Sequence, residues 1–168
     1  RHAPDSVDAR EQAEMAYEHN YFRIKTVEKW ARLKTSEALG WLAKACENRD
    51  PYTRSRALVR LAEIDAARAR PLLAAALDDP HRFVRLHAAA SIAPIASSAE
   101  AKAIQAALGS AKDPAVKLYL ADALAVAEGR PLPPPMPAVN PLGNRSLNWI
   151  NGNYDQEHED VPPEDSPI

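Results

Sequence analysis

Apolar residues return along this chain at a fixed interval. The segments "FRIKTVEKW" from Phe22, "TRSRALVRL" from Thr53, "VRLHAAASI" from Val84 and "VKLYLADAL" from Val116 begin 31, 31 and 32 residues apart. Within them the apolar positions fall at i, i+4, i+5 and i+8, which is one face of a helix. A second series precedes each segment: Leu42, Leu73 and Ile104 are 31 apart, as are Met15, Cys46, Leu77 and Leu108. Each period therefore predicts two amphipathic helices joined by a short turn. Four hairpins follow, over about residues 7–34, 36–63, 66–95 and 98–127. Three turns carry Asp-Pro, at Asp50-Pro51, Asp79-Pro80 and Asp113-Pro114. Proline suits a first helical turn, where its missing N–H is not needed, and the aspartate before it can cap the new helix.

One such hairpin cannot bury both of its apolar faces. Neighbours must stack and share a continuous core. The pattern predicts an all-α, right-handed α-solenoid of about four hairpins over residues 1–128, followed by an extended Pro-rich, acidic tail over 129–168. Leu42, Cys46, Leu61, Leu73, Leu77, Ile92, Ile104, Leu108 and Leu124 are the expected core. Composition agrees, with abundant alanine and only 5 glycines. No window alternates strictly in β-branched residues, so no strand is expected.

The clearest copy, "DPHRFVRLHAAASI", resembles a HEAT or HEAT-like repeat in its Asp, its Val-Arg, its Ala-Ala and the aliphatic residue that follows. The resemblance covers roughly residues 8–127. In that family the turn aspartate and the helix arginine form a ladder between adjacent repeats. By position this implies Asp79 with Arg85, Asp50 with Arg54 and Asp113 with Lys117. The last two pairs lie two residues closer together than the first. The resemblance implies a binding scaffold and no particular activity.

Several side chains look like catalytic material. Arg85 has repeat-mates at Arg23, Arg54 and Lys117, and recurrence every period is expected of a stacking residue. His81 and His87 have no histidine in the matching places and do not form a paired metal-binding motif, so both read as surface residues. Cys46 shares its position with leucines and methionine and reads as an inert buried thiol. Trp30 aligns with Leu61 and should fill core; Trp41 should pack in the core or between repeats. Arg56 and Arg60, at i and i+4, could meet phosphate or an acidic partner. With Glu63 and Asp65 nearby, they read better as a solvated mixed-charge face. No catalytic motif, metal site or cofactor site is expected. "EHED" (157–160) is at most a weak cation chelator.

Residues 1–128 carry a net charge of +2 and residues 129–168 a net −4. So neutral a body does not favour nucleic acid as a partner. The tail combines "PLPPPMP", a polyproline II segment, with an apolar cluster at Leu147, Trp149, Ile150 and Tyr154. These four are the expected partner anchors, the alternative being that the tail docks on the protein's own solenoid. The expected partners are protein subunits of a larger complex. A start at Arg1 rather than methionine fits either a removed leader or a trimmed chain; the compartment stays open, with an exported, periplasmic protein peripheral to a membrane complex as the favoured expectation. Two rival readings come from other HEAT-like proteins: a pigment- or cofactor-handling lyase or chaperone, and a nucleic-acid binder.

Overall fold

The computed structural model describes residues 20–132. Over that span the protein forms seven helices and no strand: α1 (Asn20–Leu33), α2 (Ser36–Ala45), α3 (Pro51–Ile64), α4 (Ala66–Ala76), α5 (Arg82–Ile92), α6 (Ala101–Ser110) and α7 (Pro114–Ala127). Helices α2–α3, α4–α5 and α6–α7 are the second, third and fourth predicted hairpins. α1 is the second helix of the first. Its expected partner helix, with Met15, lies outside the described residues, as does the tail from residue 133.

The helix starts follow from local chemistry. Thr35 accepts the Ala38 N–H at 3.1 Å, Asp50 accepts that of Thr53 at 2.7 Å, Asp65 that of Arg68 at 3.0 Å and Asp113 that of Ala115 at 2.9 Å. Each satisfies a donor that the first turn would leave unpaired. Pro51 and Pro114 stand at the start of their helices. Two residues past the end of α7 stands Gly129, whose φ of 64° fits a residue without Cβ. There the Arg130 N–H reaches the Ala125 carbonyl at 2.8 Å and closes the last turn.

The helices form two rows. α1, α3, α5 and α7 pack side by side as one row, while α2, α4 and α6 form a second row and barely touch one another. The closely packed row is therefore the inner side of the stack. Between the rows lies the core. Leu42, Leu61, Leu73, Ile92 and Ile104 are fully enclosed, Cys46 and Leu77 are buried, and Trp30, Val27 and Leu58 are enclosed as well. Trp41, half-buried, packs on Trp30 with ring centroids 6.0 Å apart.

Two expected core residues are only half-buried: Leu108 and Leu124. Both belong to the fourth hairpin, and no further described helix covers its outer side. Leu118 shows the same effect. It is 40% exposed, whereas its register-mates Ile24, Ser55 and Leu86 are buried.

This difference separates two substitutions at one register position. Leu77→Ala should cost about 2–5 kcal/mol, and Leu108→Ala about half as much. Chemical denaturation of both variants checks this. Equal losses would contradict the placement of Leu108 at the open end of the core.

Candidate functional site

The arginine–aspartate ladder exists and runs between adjacent hairpins, as the family resemblance implies; the pairings within it differ from those implied by position. Arg54 grips Asp79, from the next hairpin, through two parallel bonds of 2.9 Å (Nε) and 2.8 Å (Nη2). Its Nη1 donates to the carbonyls of Asn48 and Arg49 in its own turn. Arg23 faces Asp50 at 3.8 Å in the same sense. The implied pairings of Asp79 with Arg85, Asp50 with Arg54 and Asp113 with Lys117 are therefore corrected. Arg85 meets only the backbone carbonyls of Asp79 and Pro80, at 2.7 and 2.9 Å. Asp113 is bound by Arg82 at 2.7 Å. Lys117 is exposed and makes no ion pair among the described residues.

A two-residue insertion accounts for the closer grip on Asp79 than on Asp50; the direction of the rungs does not depend on it, since Arg23 and Asp50 share that direction without it. Aligning Tyr52 with Phe83 places His81 and Arg82 as extra residues after Asp79-Pro80. Asp50 and Asp113 cap their helices directly, but the residue before α5 is His81, whose side chain makes no capping bond. Asp79 is thus released from capping. It accepts the His81 N–H at 2.8 Å and presents both oxygens to Arg54. Burial pushes its carboxyl up, but the bonds from Arg54 and His81 and the Arg54 charge outweigh this and hold it below the ordinary range.

Arg56 and Arg60 are neither a solvated face nor an anion site. Both converge on Glu28 of α1. Arg60 Nη2 lies 2.8 Å from Glu28 Oε2, and Arg56, itself buried, bonds Oε1 through Nε. Burial raises the Glu28 carboxyl. The two guanidiniums more than offset that and hold it low. Arg60 also reaches Glu63 at 2.7 Å, the one local pair that the sequence suggested.

His87 is not a surface residue. It is buried, with Nδ1 against the Ser55 hydroxyl. Desolvation, then the nearby Arg56 charge, pulls its pKa down to about 4. The ring is neutral and joins the second hairpin to the third. His81 is half-buried and stacks on Phe83 at 5.8 Å. Cys46 is buried as expected, and desolvation pushes its thiol up to about 12, which leaves it protonated and unreactive. Among the described residues no cluster of His, Cys, Asp and Glu could hold a metal ion. No described helix is long and apolar enough to cross a membrane. "EHED", Leu147, Trp149, Ile150 and Tyr154 lie outside the described residues.

The structure adds a feature that the core pattern does not contain: an aromatic row on the inner helices. Tyr21, Tyr52 and Phe83 stand 31 residues apart, one place before the repeat segments begin. They therefore occupy equivalent places on α1, α3 and α5. Tyr21 is 44% and Phe83 43% exposed, and Phe22 widens the row beside Tyr21. Tyr52 and Phe83 have ring centroids 6.1 Å apart, and His81 touches both. Lys25 lies over the Tyr21 ring at 4.3 Å. The 31-residue spacing, applied to exposed positions as well as core ones, is the sequence signal for this row. At the fourth hairpin the row ends in Ala115, which is buried.

The family profile of HEAT repeats matches the protein twice, over residues 8–93 and 40–126. No curated protein and no solved structure matches it.

His87 gives stability a specific pH dependence. The folded state keeps the ring neutral down to about pH 4, whereas an unfolded histidine takes up a proton near 6.5. Stability should therefore fall as pH drops from about 6.5 to 4, by up to about 3 kcal/mol, and no further from this group below that. His87→Gln, which keeps a polar partner for Ser55, should flatten the profile in that window. Denaturation across pH checks it; an unchanged slope in the variant would show that His87 is not the titrating group.

Proposed function

Because the protein belongs to the HEAT-repeat family, we propose that it is a non-catalytic interaction scaffold, a subunit of a larger protein assembly. HEAT repeats provide a rigid surface for protein contacts. Here the surface best suited to that role is the inner row bearing Tyr21, Tyr52 and Phe83.

The observation that carries this reading is a row of large aromatics at one-repeat spacing whose ends, Tyr21 and Phe83, are exposed and whose middle member, Tyr52, is half-buried. Core packing does not require them there, since the core is filled by residues one helix face away. Exposed aromatic side chains combine a large apolar area with few rotatable bonds, so ordering them on a partner costs little entropy. The charged residues beside them are mostly engaged with each other, as in the Arg56–Arg60–Glu28 cluster. That leaves apolar and aromatic contact as the main contribution on this face.

The tail supplies a second contact in this proposal. Leu147, Trp149, Ile150 and Tyr154 are close together in the sequence, within a Pro-rich, acidic segment. Such a group would anchor on a partner, and the preset polyproline reduces the entropy lost on docking. The acidic end would be steered by a basic partner surface, more strongly at low salt.

Tyr52→Ala combined with Phe83→Ala should leave the melting temperature within a few degrees and reduce recovery of native partners at least tenfold in affinity isolation. Trp149→Ala with Ile150→Ala should weaken recovery of the same partners. Full recovery by both double variants would refute the scaffold surface and the tail anchor together.

A further inference from the structure

The interface between the third and fourth hairpins lacks the rung that closes the interface before it. Arg54 uses its guanidinium in two directions. Nη1 holds the carbonyls of its own turn, and the Nε–Nη2 edge holds the Asp79 carboxylate. Arg85, 31 residues later, repeats only the first half. Its Nη1 holds the Asp79 and Pro80 carbonyls, and no carboxylate among the described residues meets its other edge. The acceptor offered by the register is Asp113. That group caps α7 through the Ala115 N–H and is drawn to Arg82, a side chain that is 67% exposed. Arg82 belongs to the inserted pair. The insertion that frees Asp79 for Arg54 thus also diverts Asp113 from Arg85.

The fourth hairpin also stands further off. α2 packs on α1 and α4 packs on α3, but α6 makes no comparable contact with α5. Eight residues link α5 to α6, against two between α1 and α2 and one between α3 and α4. A cavity of about 400 Å³ opens between the hairpins. Leu77, Ala107 and Val116 form apolar wall, and Arg85 and Lys112 supply donors. Asp79 and Asp113 line it too, but each is already paired with an arginine. Counted together with Arg54 and Arg82, which neutralise Asp79 and Asp113, the groups around the cavity leave Arg85 and Lys112 against Asp78, one net positive charge.

We propose that this cleft binds a carboxylate from another molecule, with the Nε–Nη2 edge of Arg85 gripping it as Arg54 grips Asp79. The ligand is a peptide carboxylate, either an Asp or Glu side group or the free C-terminus of a polypeptide. Planar guanidinium and planar carboxylate match in two parallel bonds, and Lys112 adds a second positive charge. The apolar wall accommodates the residue that carries the acid. The site is distinct from the aromatic row.

The test uses the full-length protein with ¹⁵N-labelled arginine, followed by NMR at the Arg85 Nε–H. Three short peptides are titrated: one blocked at both ends with a single Glu, one without acidic side groups but with a free C-terminus, and the blocked peptide with Gln in place of Glu. At least one carboxylate peptide should shift the Arg85 resonance saturably, the Gln peptide should not, and the responding peptide identifies the source. Arg85→Gln should weaken binding roughly tenfold, while Arg85→Lys, which keeps charge but loses the fork, should lie between. Tyr52→Ala with Phe83→Ala should leave this binding unchanged, so its failure is separable from failure of the aromatic surface. Should Arg85→Gln not fold, the wild-type resonance alone decides. No shift with either carboxylate, an equal shift with the Gln peptide, or undiminished binding by a folded Arg85→Gln would overturn the proposal.

Discussion

A two-helix hairpin has apolar surface on both sides, and only another hairpin in the same register can cover it. This constraint accounts for most of the structure. It explains why Leu42 and Leu73 are fully enclosed while Leu108 and Leu124, at the last described hairpin, are not. It also explains where the polar side chains go. Once apolar faces are pressed together, any charge caught between them must find a partner in the neighbouring hairpin. Arg54 with Asp79, Arg56 and Arg60 with Glu28, and His87 with Ser55 all cross a hairpin boundary. Apolar packing holds the stack together, and these pairs set its register.

The insertion of His81 and Arg82 shows how one local change spreads. It removes Asp79 from helix capping, gives the rung between the second and third hairpins both carboxylate oxygens, and places an arginine where it captures Asp113. One interface is tightened and the next is left ajar. A repeat that looks most faithful to its family at the level of motif is, in three dimensions, the one that departs from its neighbours.

Much of the fold is legible in the sequence because a 31-residue period reports on burial, and burial follows helix geometry directly. Helix boundaries, the core positions of Cys46 and Leu77, and the Asp50 and Asp113 caps all follow from local pattern. The pairings across hairpins are not legible, since a period gives equivalent positions but not which neighbour each side group faces. Sequence distance alone therefore points Arg85 to the nearest aspartate, when the rung runs from Arg54 to Asp79, 25 residues away. Isolated polar residues mislead for the same reason. His87 has no repeat-mate of its type, so its burial depends on Ser55 and Arg56 in the preceding hairpin, which no local window contains. The aromatic row shares the 31-residue spacing, but its residues are not core, and a pattern of burial does not single them out.

The central claim is that the stack is registered by ion pairs reaching from one hairpin to the next. A double-mutant cycle tests it most directly, with Arg54→Ala and Asp79→Ala measured singly and together, and the same cycle run for Arg85 and Asp79. The rung between hairpins predicts a coupling of about 1–3 kcal/mol for Arg54 with Asp79 and about zero for Arg85 with Asp79. Coupling confined to Arg85 and Asp79 would place the ladder within the hairpin and contradict the account.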